Sequence, residues 1–441
     1  MSEQTTSSFS SKIGLIMAAA GSAVGLGNIW KFPYIAGENG GGAFLIVYLG
    51  CVLLFGLPMI MTEFLIGKRS GKSAYGAFRE LRGNNRWQWL GWLCMLTAFL
   101  IMGFYFVVTG WCFSYLSEAF LNVFHGLDST ALSEHFTAVA ADKWRMISFS
   151  ILPVGLTAAV LWFDVNKGIE RLSKILMPLL LIMMVLMAGR VLMLDGSNIG
   201  MRFFFQTDFT KITPKVIIEA MGQCFFSLSI GMGALITYGA YMPKNQNVTR
   251  TSIQVIILDT LVALLAGIII FPAVFAFGFN PAEGPQLVFV VLPAIFEQMS
   301  FSWLSAVLFF SLLCIAALTS TISLMEVAVA FVNEAGNGKL NRHKSVLVVS
   351  ALVSVLIVLC VTYNQLFDLF DEITACVMLP VGALGMSLFV GWSLPTKEGV
   401  GILYADKGIK HWFKKIYINM LRWLVPAAIL MVFLNSLGVF N

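Results

Sequence analysis

Two glycine-rich stretches interrupt apolar runs of membrane length, roughly 200 residues apart in the chain. The first is Gly21-Ser22-Ala23-Val24-Gly25-Leu26-Gly27-Asn28, the second Phe226-Ser227-Leu228-Ser229-Ile230-Gly231-Met232-Gly233. Lipid offers a backbone no hydrogen-bond partners, so an interrupted helix survives there only against protein or a water-filled cavity. Breaks at corresponding places in two halves of a chain mark a transporter whose site lies near the bilayer midplane.

The surrounding sequence places these runs in a membrane. Hydrophobic residues make up 58% of the 441 and charged residues only 12%. Uncharged runs such as Trp87 to Ser117 and Ser345 to Phe367 exceed the roughly 20 residues that cross the hydrocarbon. The pattern predicts eleven spans, at about 12–35, 42–67, 87–122, 144–163, 169–190, 214–242, 251–277, 303–332, 344–362, 366–394 and 418–438. The first run lacks a basic leader and a small-residue cleavage site, so it reads as a span rather than a secretory signal.

Loop charge sets an orientation. With the N-terminus inside, the inner segments hold 21 of the 28 Lys and Arg residues, from Lys12 through Lys68–Arg86, Lys167–Lys174, Lys244–Arg250 and Lys339–Lys344 to Lys397–Arg422. The positive-inside rule then puts the N-terminus in the cytoplasm and, with an odd number of spans, the C-terminus outside. The net charge of +5 follows from this asymmetry and calls for no nucleic-acid partner. All seven cysteines lie in apolar spans without a CxxC pair and read as small buried hydrophobes. The histidines fall in loops without metal-ligand spacing, and the Asn247-Val248-Thr249 sequon falls in an inner loop.

The broken spans are the first and the sixth. That divides the chain into repeats of five, at 12–190 and 214–394, followed by an inner loop and an eleventh helix over 395–441. Five is odd, so the second repeat is inverted relative to the first. Between spans 7 and 8, the apolar run Leu287 to Phe296, bent by Pro293, predicts a re-entrant or hairpin cap on the outer side.

Ionisable residues at membrane depth are costly and mark pathways or structural anchors. Asp259 sits among Ile256, Ile257, Leu258, Leu261 and Val262, which argues for depth. Glu63 and Glu326 are expected to bond the freed backbone of the broken helices. The acids Asp368, Asp371 and Glu372 read as a solvated first helical turn. Unwound carbonyls suit Na⁺, and exposed N–H groups at a half-helix start suit a carboxylate. Thr319-Ser320-Thr321-Ile322-Ser323 on span 8 adds neutral oxygens, which serve either a second cation or back-bonding to helix carbonyls.

Several of these strings together resemble the neurotransmitter:sodium symporter family over nearly the whole chain. Ala23-Val24-Gly25-Leu26-Gly27-Asn28-Ile29-Trp30-Lys31-Phe32-Pro33 is similar to its first-helix signature. It is joined by Glu38-Asn39-Gly40-Gly41-Gly42-Ala43-Phe44, Gly56-Leu57-Pro58 with Glu63, Tyr105 with Trp111, Gln223 through Gly233, and Ala316-Ala317-Leu318-Thr319-Ser320. Eleven spans and Gly231-Met232-Gly233 resemble the bacterial branch, and within it transporters of many hydrophobic amino acids.

The resemblance implies an all-α integral membrane protein with a leucine-transporter-like 5+5 inverted repeat. It implies two Na⁺ sites, the first at Ala23, Asn28, Ser227, Asp259 and the substrate carboxylate, the second at Gly21, Val24, Ala316, Thr319 and Ser320. The amino-acid carboxylate would meet the N–H groups of Leu26 and Gly27 and the Tyr105 hydroxyl, and the amine the carbonyls of Ala23, Phe226 and Ser229. The side chain would lie against Ile101, Phe226, Met232, Ser320 and Leu324. Outer gating would involve Lys31, Gln223, Asp371, Tyr105 and Phe226, and Gly168 with Pro178 resembles a fifth-helix motif that unwinds to hydrate the inner Na⁺ route.

The chain departs from the family pattern in three respects. Lys31 replaces the usual Arg, turning a bidentate outer pair into a point-charge contact. Thr6 and Phe9 replace the Arg and Trp of an inner latch, so no such latch to Glu334 is expected. Animal members bind Cl⁻ near span 7, whereas Asp259 supplies a fixed negative charge, so Cl⁻ is not expected to be required. The expected activity is Na⁺-coupled import of hydrophobic or aromatic L-amino acids across a bacterial inner membrane. A channel or ligand-gated sensor is the competing class. An intramembrane enzyme would need a nucleophile–base pair or metal ligands, and no histidine lies deep in any span.

Overall fold

The computed structural model describes residues 8–83, 85–281, 287–336, 340–394 and 411–436. Among them there are helices and no strand. Among the described residues nine helices are long and apolar enough to cross a membrane: Gly42–Ser70, Gln88–Phe120, Lys143–Leu161, Asn166–Leu192, Val248–Ala276, Ser302–Ala335, Arg342–Thr362, Asn364–Ser393 and Lys414–Asn435. They are spans 2, 3, 4, 5, 7, 8, 9, 10 and 11. Span 1 is the bent pair Lys12–Ala23 and Gly27–Glu38, whose halves meet at 51°. Span 6 is the pair Pro214–Ser227 and Ala234–Ala240. Large apolar residues such as Ile257 and Leu186 are more than half exposed, as a lipid-facing surface requires. The positively charged segment around 395–410 and Lys339 lie outside the described residues, as does Thr6.

Both breaks have local causes. In span 1 the helix ends at Ala23, Val24 turns extended (φ −72°, ψ 109°), and a π turn restarts at Gly27. In span 6 three residues adopt positive φ: Ser229 (54°), Gly231 (104°) and Gly233 (77°). Glycine reaches that region without a Cβ penalty, which is why the Gly-Met-Gly string unwinds here. Glu63 on span 2 closes the gap, its Oε1 accepting the Gly231 N–H at 2.8 Å.

Spans 3 and 8 form the most extensive helix pair, and both broken spans lie in the same interior as this pair. At one end of the bundle, Phe9 is buried, donates its N–H to the Tyr241 carbonyl at 3.0 Å, and sets its ring edge-on to Tyr238 and Tyr241. Ser10 and Ser11 donate to the Glu170 carboxylate at 2.7–2.8 Å. The N-terminal segment is therefore latched, but to spans 5 and 6. Glu334 instead accepts from the N–H and hydroxyl of Ser73.

Two expectations need correction. Glu326 does not bond freed backbone. It forms a fork with Arg342 at 2.8–3.0 Å and accepts the Tyr241 hydroxyl at 2.8 Å. The run Leu287 to Phe296 is one buried helix, Leu287–Gln298, with no hairpin. Pro293 falls at the start of its α-helical turns, where its missing N–H costs nothing. In this structure span 5 is wound, with Gly168 in the π turn Asn166–Glu170 and Pro178 inside the following helix, which leaves the expected unwinding of this motif during transport as it stands.

Candidate functional site

The two breaks, span 3 and span 8 enclose a cavity of about 40 Å³. Ala23, Gly27, Ile101, Tyr105, Phe226, Ser229, Met232, Ser320 and Leu324 all line it. Leu26 reaches it through the backbone, donating its N–H to the Tyr105 hydroxyl at 3.2 Å. The Ser229 hydroxyl crosses to the Ser22 carbonyl at 2.9 Å, tying the two breaks together. At Gly25 the walls come close: a Cβ there would stand 2.4 Å from Ser320 Oγ and 2.8 Å from Tyr105 Oη. Any larger residue would force span 8 or span 3 away.

Beside this cavity lies a fully buried carboxylate. Asp259 accepts from Asn28 Nδ2 at 2.7 Å and from Ser227 Oγ at 3.2 Å on each oxygen. Among the described residues it forms no ion pair with Lys, Arg or His. Desolvating an unpaired charge is expensive, so a group this size asks for a small cation. Its surroundings are hard, neutral oxygens and amides, a donor set suited to Na⁺.

A second group of oxygens converges between spans 1 and 8. Thr319 Oγ1 lies 2.9 Å from the Ala316 carbonyl and 3.5 Å from that of Val24, and Ser320 Oγ lies 3.3 Å from the Val24 carbonyl. Gly21 packs on the same side, where a Cβ would come within 3.1 Å of Thr319 Cβ. Both hydroxyls thus point at the Val24 carbonyl, freed where span 1 unwinds, and Thr319 at the Ala316 carbonyl of span 8 as well.

Toward the opposite end from Phe9, a second cavity of about 230 Å³ contains Lys31, Tyr34, Trp111, Phe367, Asp368 and Asp371. The Phe226 ring belongs to both cavities and separates them. Lys31 does not close an ion pair with Asp371. Its Nζ sits 4.1 Å over the Phe226 ring, where a point charge gains from the aromatic face. Gln223 donates to the Gly27 carbonyl at 2.9 Å, holding the start of the outer half of span 1. Phe289 of the Leu287–Gln298 helix packs edge-on against Trp30 and Trp111, two of the residues that line this cavity.

Sequence reasoning missed Tyr48, Ser22 and Leu379. The buried Tyr48 hydroxyl lies 3.4 Å from Ser227 Oγ, and a lone phenol inside an apolar run was its available signal. Leu379 of span 10 forms a wall of the central cavity, because Gly231 packs against its carbonyl so tightly that a Cβ would come within 2.4 Å. An apolar residue on an apolar span carries no such signal.

A membrane bundle with two unwound helices around a closed pocket and buried oxygen clusters defines a secondary transporter. The family model of the sodium:neurotransmitter symporters matches residues 6–126 and 122–441. A sodium-dependent transporter of Bacillus subtilis, YhdH, is 37% identical over the full length of both chains. A sodium-dependent transporter of Haemophilus influenzae is 33% identical over 97% of this chain and 98% of its own. The crystal structure of MhsT in complex with L-phenylalanine superposes with a TM-score of 0.88 at 38% identity, covering 98% of this chain and 99% of MhsT. The chain belongs to the sodium:neurotransmitter symporter family.

Proposed function

We propose that this chain imports hydrophobic and aromatic L-amino acids together with Na⁺ across a bacterial inner membrane. Its N-terminus is cytoplasmic and its C-terminus extracytoplasmic, so that the Phe9 end is the inner end. The observation that carries the reading is the buried carboxylate of Asp259, hydrogen-bonded to both broken helices and without a Lys, Arg or His partner among the described residues. Its tie to Asn28 and Ser227 makes the cation and the two helix breaks one unit. The amino-acid ligand held by MhsT, at 38% identity, supports the substrate class.

The first Na⁺ is held by Asp259, Ser227, the Ala23 carbonyl and Asn28, whose amide turns to offer Oδ1. The substrate carboxylate completes this shell, so neither ligand binds well alone. The Leu26 and Gly27 N–H groups and Tyr105 orient that carboxylate, and the Ala23, Phe226 and Ser229 carbonyls take the amine. The second Na⁺ sits among Gly21, Val24, Ala316, Thr319 and Ser320, bridging spans 1 and 8. Side chains pack on Ile101, Leu324 and the adaptable Met232. The 40 Å³ cavity is smaller than a large side chain, so Phe226 and the Gly231–Gly233 segment yield as substrate enters. Alternating access then moves spans 1, 2, 6 and 7 against the rest, with 12–190 and 214–394 as the inverted repeats. The fixed charge of Asp259 removes the need for Cl⁻.

Uptake into proteoliposomes tests the reading. Accumulation of labelled Trp, Phe or Leu should require a Na⁺ gradient and vanish when K⁺ or choline replaces it. Undiminished uptake without Na⁺, or preferential competition by Glu or Lys, would refute it.

A further inference from the structure

A cavity larger than the central one lies away from the transport path. A groove of about 470 Å³ runs between spans 4, 5 and 8 near the Phe9 end. Its apolar walls include Leu156, Leu172, Ile175, Leu176, Leu318 and Ile322, and Leu156 and Ile175 are exposed on the outside of the bundle. Lys167 and Arg171 stand at its mouth, one helical turn apart on span 5. The groove therefore has a charged head and an apolar body, and it faces the bilayer rather than the transport path.

The two cations at its head are free to take an anion. Among the described residues neither forms an ion pair, although acidic groups are near. Glu170, on the same turn, is committed inward to Ser10, Ser11 and Lys174. Asp164 lies in the field of Arg342, which also caps the Leu161 and Phe163 carbonyls at 2.9–3.0 Å. From Lys167 to Leu176 the groove extends about 13 Å along the helix axis, a length that takes the upper part of an acyl chain.

We propose that this groove binds an anionic phospholipid of the cytoplasmic leaflet, its phosphate on Lys167 and Arg171 and one acyl chain between spans 4, 5 and 8. The choice of leaflet rests on the orientation proposed above. Basic pockets between spans on the cytoplasmic side suit such headgroups. The lipid would staple span 5 from outside where Glu170 grips the N-terminal segment from inside. Gly168 keeps the site narrow, since a Cβ there would lie 2.1 Å from the Val160 carbonyl of span 4.

The test uses the full chain purified in neutral detergent, with native mass spectrometry and thermal unfolding as readouts. Phosphatidylglycerol should bind and raise the unfolding temperature, whereas phosphatidylcholine and inorganic phosphate should not. The double variant Lys167→Ala/Arg171→Ala should bind phosphatidylglycerol about thirtyfold more weakly, the effect of two lost basic contacts to an anionic headgroup. The stabilisation of that variant by Na⁺ with substrate should be retained, which shows that it folds. Leu172→Trp, filling the groove without changing charge, should also weaken binding. Equal binding of both lipids, equal protection by inorganic phosphate, or wild-type affinity in the double variant would overturn the proposal. Binding in detergent does not depend on orientation, so such a failure leaves the topology and the transport reading untouched.

Discussion

Asn28 and Asp259 are joined twice across spans 1 and 7: the Asn28 amide lies 2.7 Å from the Asp259 carboxylate and 3.2 Å from its backbone carbonyl. The same asparagine accepts the Gly25 N–H at 3.2 Å, so the unwound turn of span 1 is anchored to a buried charge. A change in what the carboxylate binds is thereby felt by the backbone that would hold substrate.

Tyr105 should matter equally for every substrate. Its hydroxyl accepts the Leu26 N–H at 3.2 Å, and in the function proposed above it meets the carboxylate that all amino acids share. Tyr105→Phe removes one hydrogen bond, worth about 1 kcal/mol and more when the partner is charged. Affinity for Trp, Phe and Leu should fall by a similar factor of about ten. Scintillation proximity binding with the three substrates checks this, and a loss confined to one substrate would assign Tyr105 to the side-chain pocket.

Glu63 should stabilise the broken state of span 6. Removing its carboxylate leaves the buried Gly231 N–H without a partner, a loss of about 1–3 kcal/mol. Glu63→Ala should therefore unfold at clearly lower temperature in detergent, while Glu63→Gln, which keeps an acceptor oxygen, should lose less. Equal unfolding temperatures for both variants and wild type would remove this role.

The legible part of the site was backbone-driven. Gly231 and Gly233 announce positive φ, and the glycines around Val24 announce close approach, so the breaks were readable from composition alone. Asp259 was readable because one charge stood in an apolar stretch. Partners chosen by tertiary packing were not. Glu326 gave no sign that Arg342, sixteen positions on and past a loop, would claim it. Lys31 could not be told from a gate cation paired with Asp371, because its place over Phe226 depends on where span 6 unwinds. Likewise Ser10 and Ser11 meet Glu170 only once span 5 is packed beside span 1.

Phe9 should hold the inner end closed. Its ring is buried against Tyr238 and Tyr241, and a large-to-small change at such a site costs about 3 kcal/mol. Phe9→Ala should shift the balance toward an open inner end by up to about a hundredfold. Amide exchange should accelerate in Lys12–Ala23 and around Tyr241. Unchanged exchange in both segments would show that the closure lies elsewhere.

Thr319 should act on Na⁺ more than on selectivity. Its hydroxyl joins the carbonyls of Val24 and Ala316, whereas it does not line the central cavity. Thr319→Ala should raise the Na⁺ concentration for half-maximal uptake by about tenfold, the effect of one lost oxygen ligand. The order of preference among Trp, Phe and Leu should stay the same. A reordered series at saturating Na⁺ would place Thr319 in the substrate pocket instead.

Asp259 should be the charge that frees transport from Cl⁻. The carboxylate is fully buried, accepts hydrogen bonds from Asn28 and Ser227, and among the described residues meets no cationic side chain. In the proposed reading a Na⁺ and a zwitterionic substrate arrive beside it, and its negative charge would balance the ion in a region where an unpaired charge is costly. Asp259→Asn keeps the size and a hydrogen-bonding group but removes the balance, so uptake should be lost. Asp259→Ser also leaves space, and Cl⁻ entering that space should restore part of the activity. Uptake by wild type and both variants in chloride and in gluconate separates the possibilities. Wild type should be indifferent to the anion, the Asn variant inactive in both, and the Ser variant active only with chloride. Wild-type uptake that needs Cl⁻, or a fully active Asn variant in gluconate, would move the balancing charge to another residue.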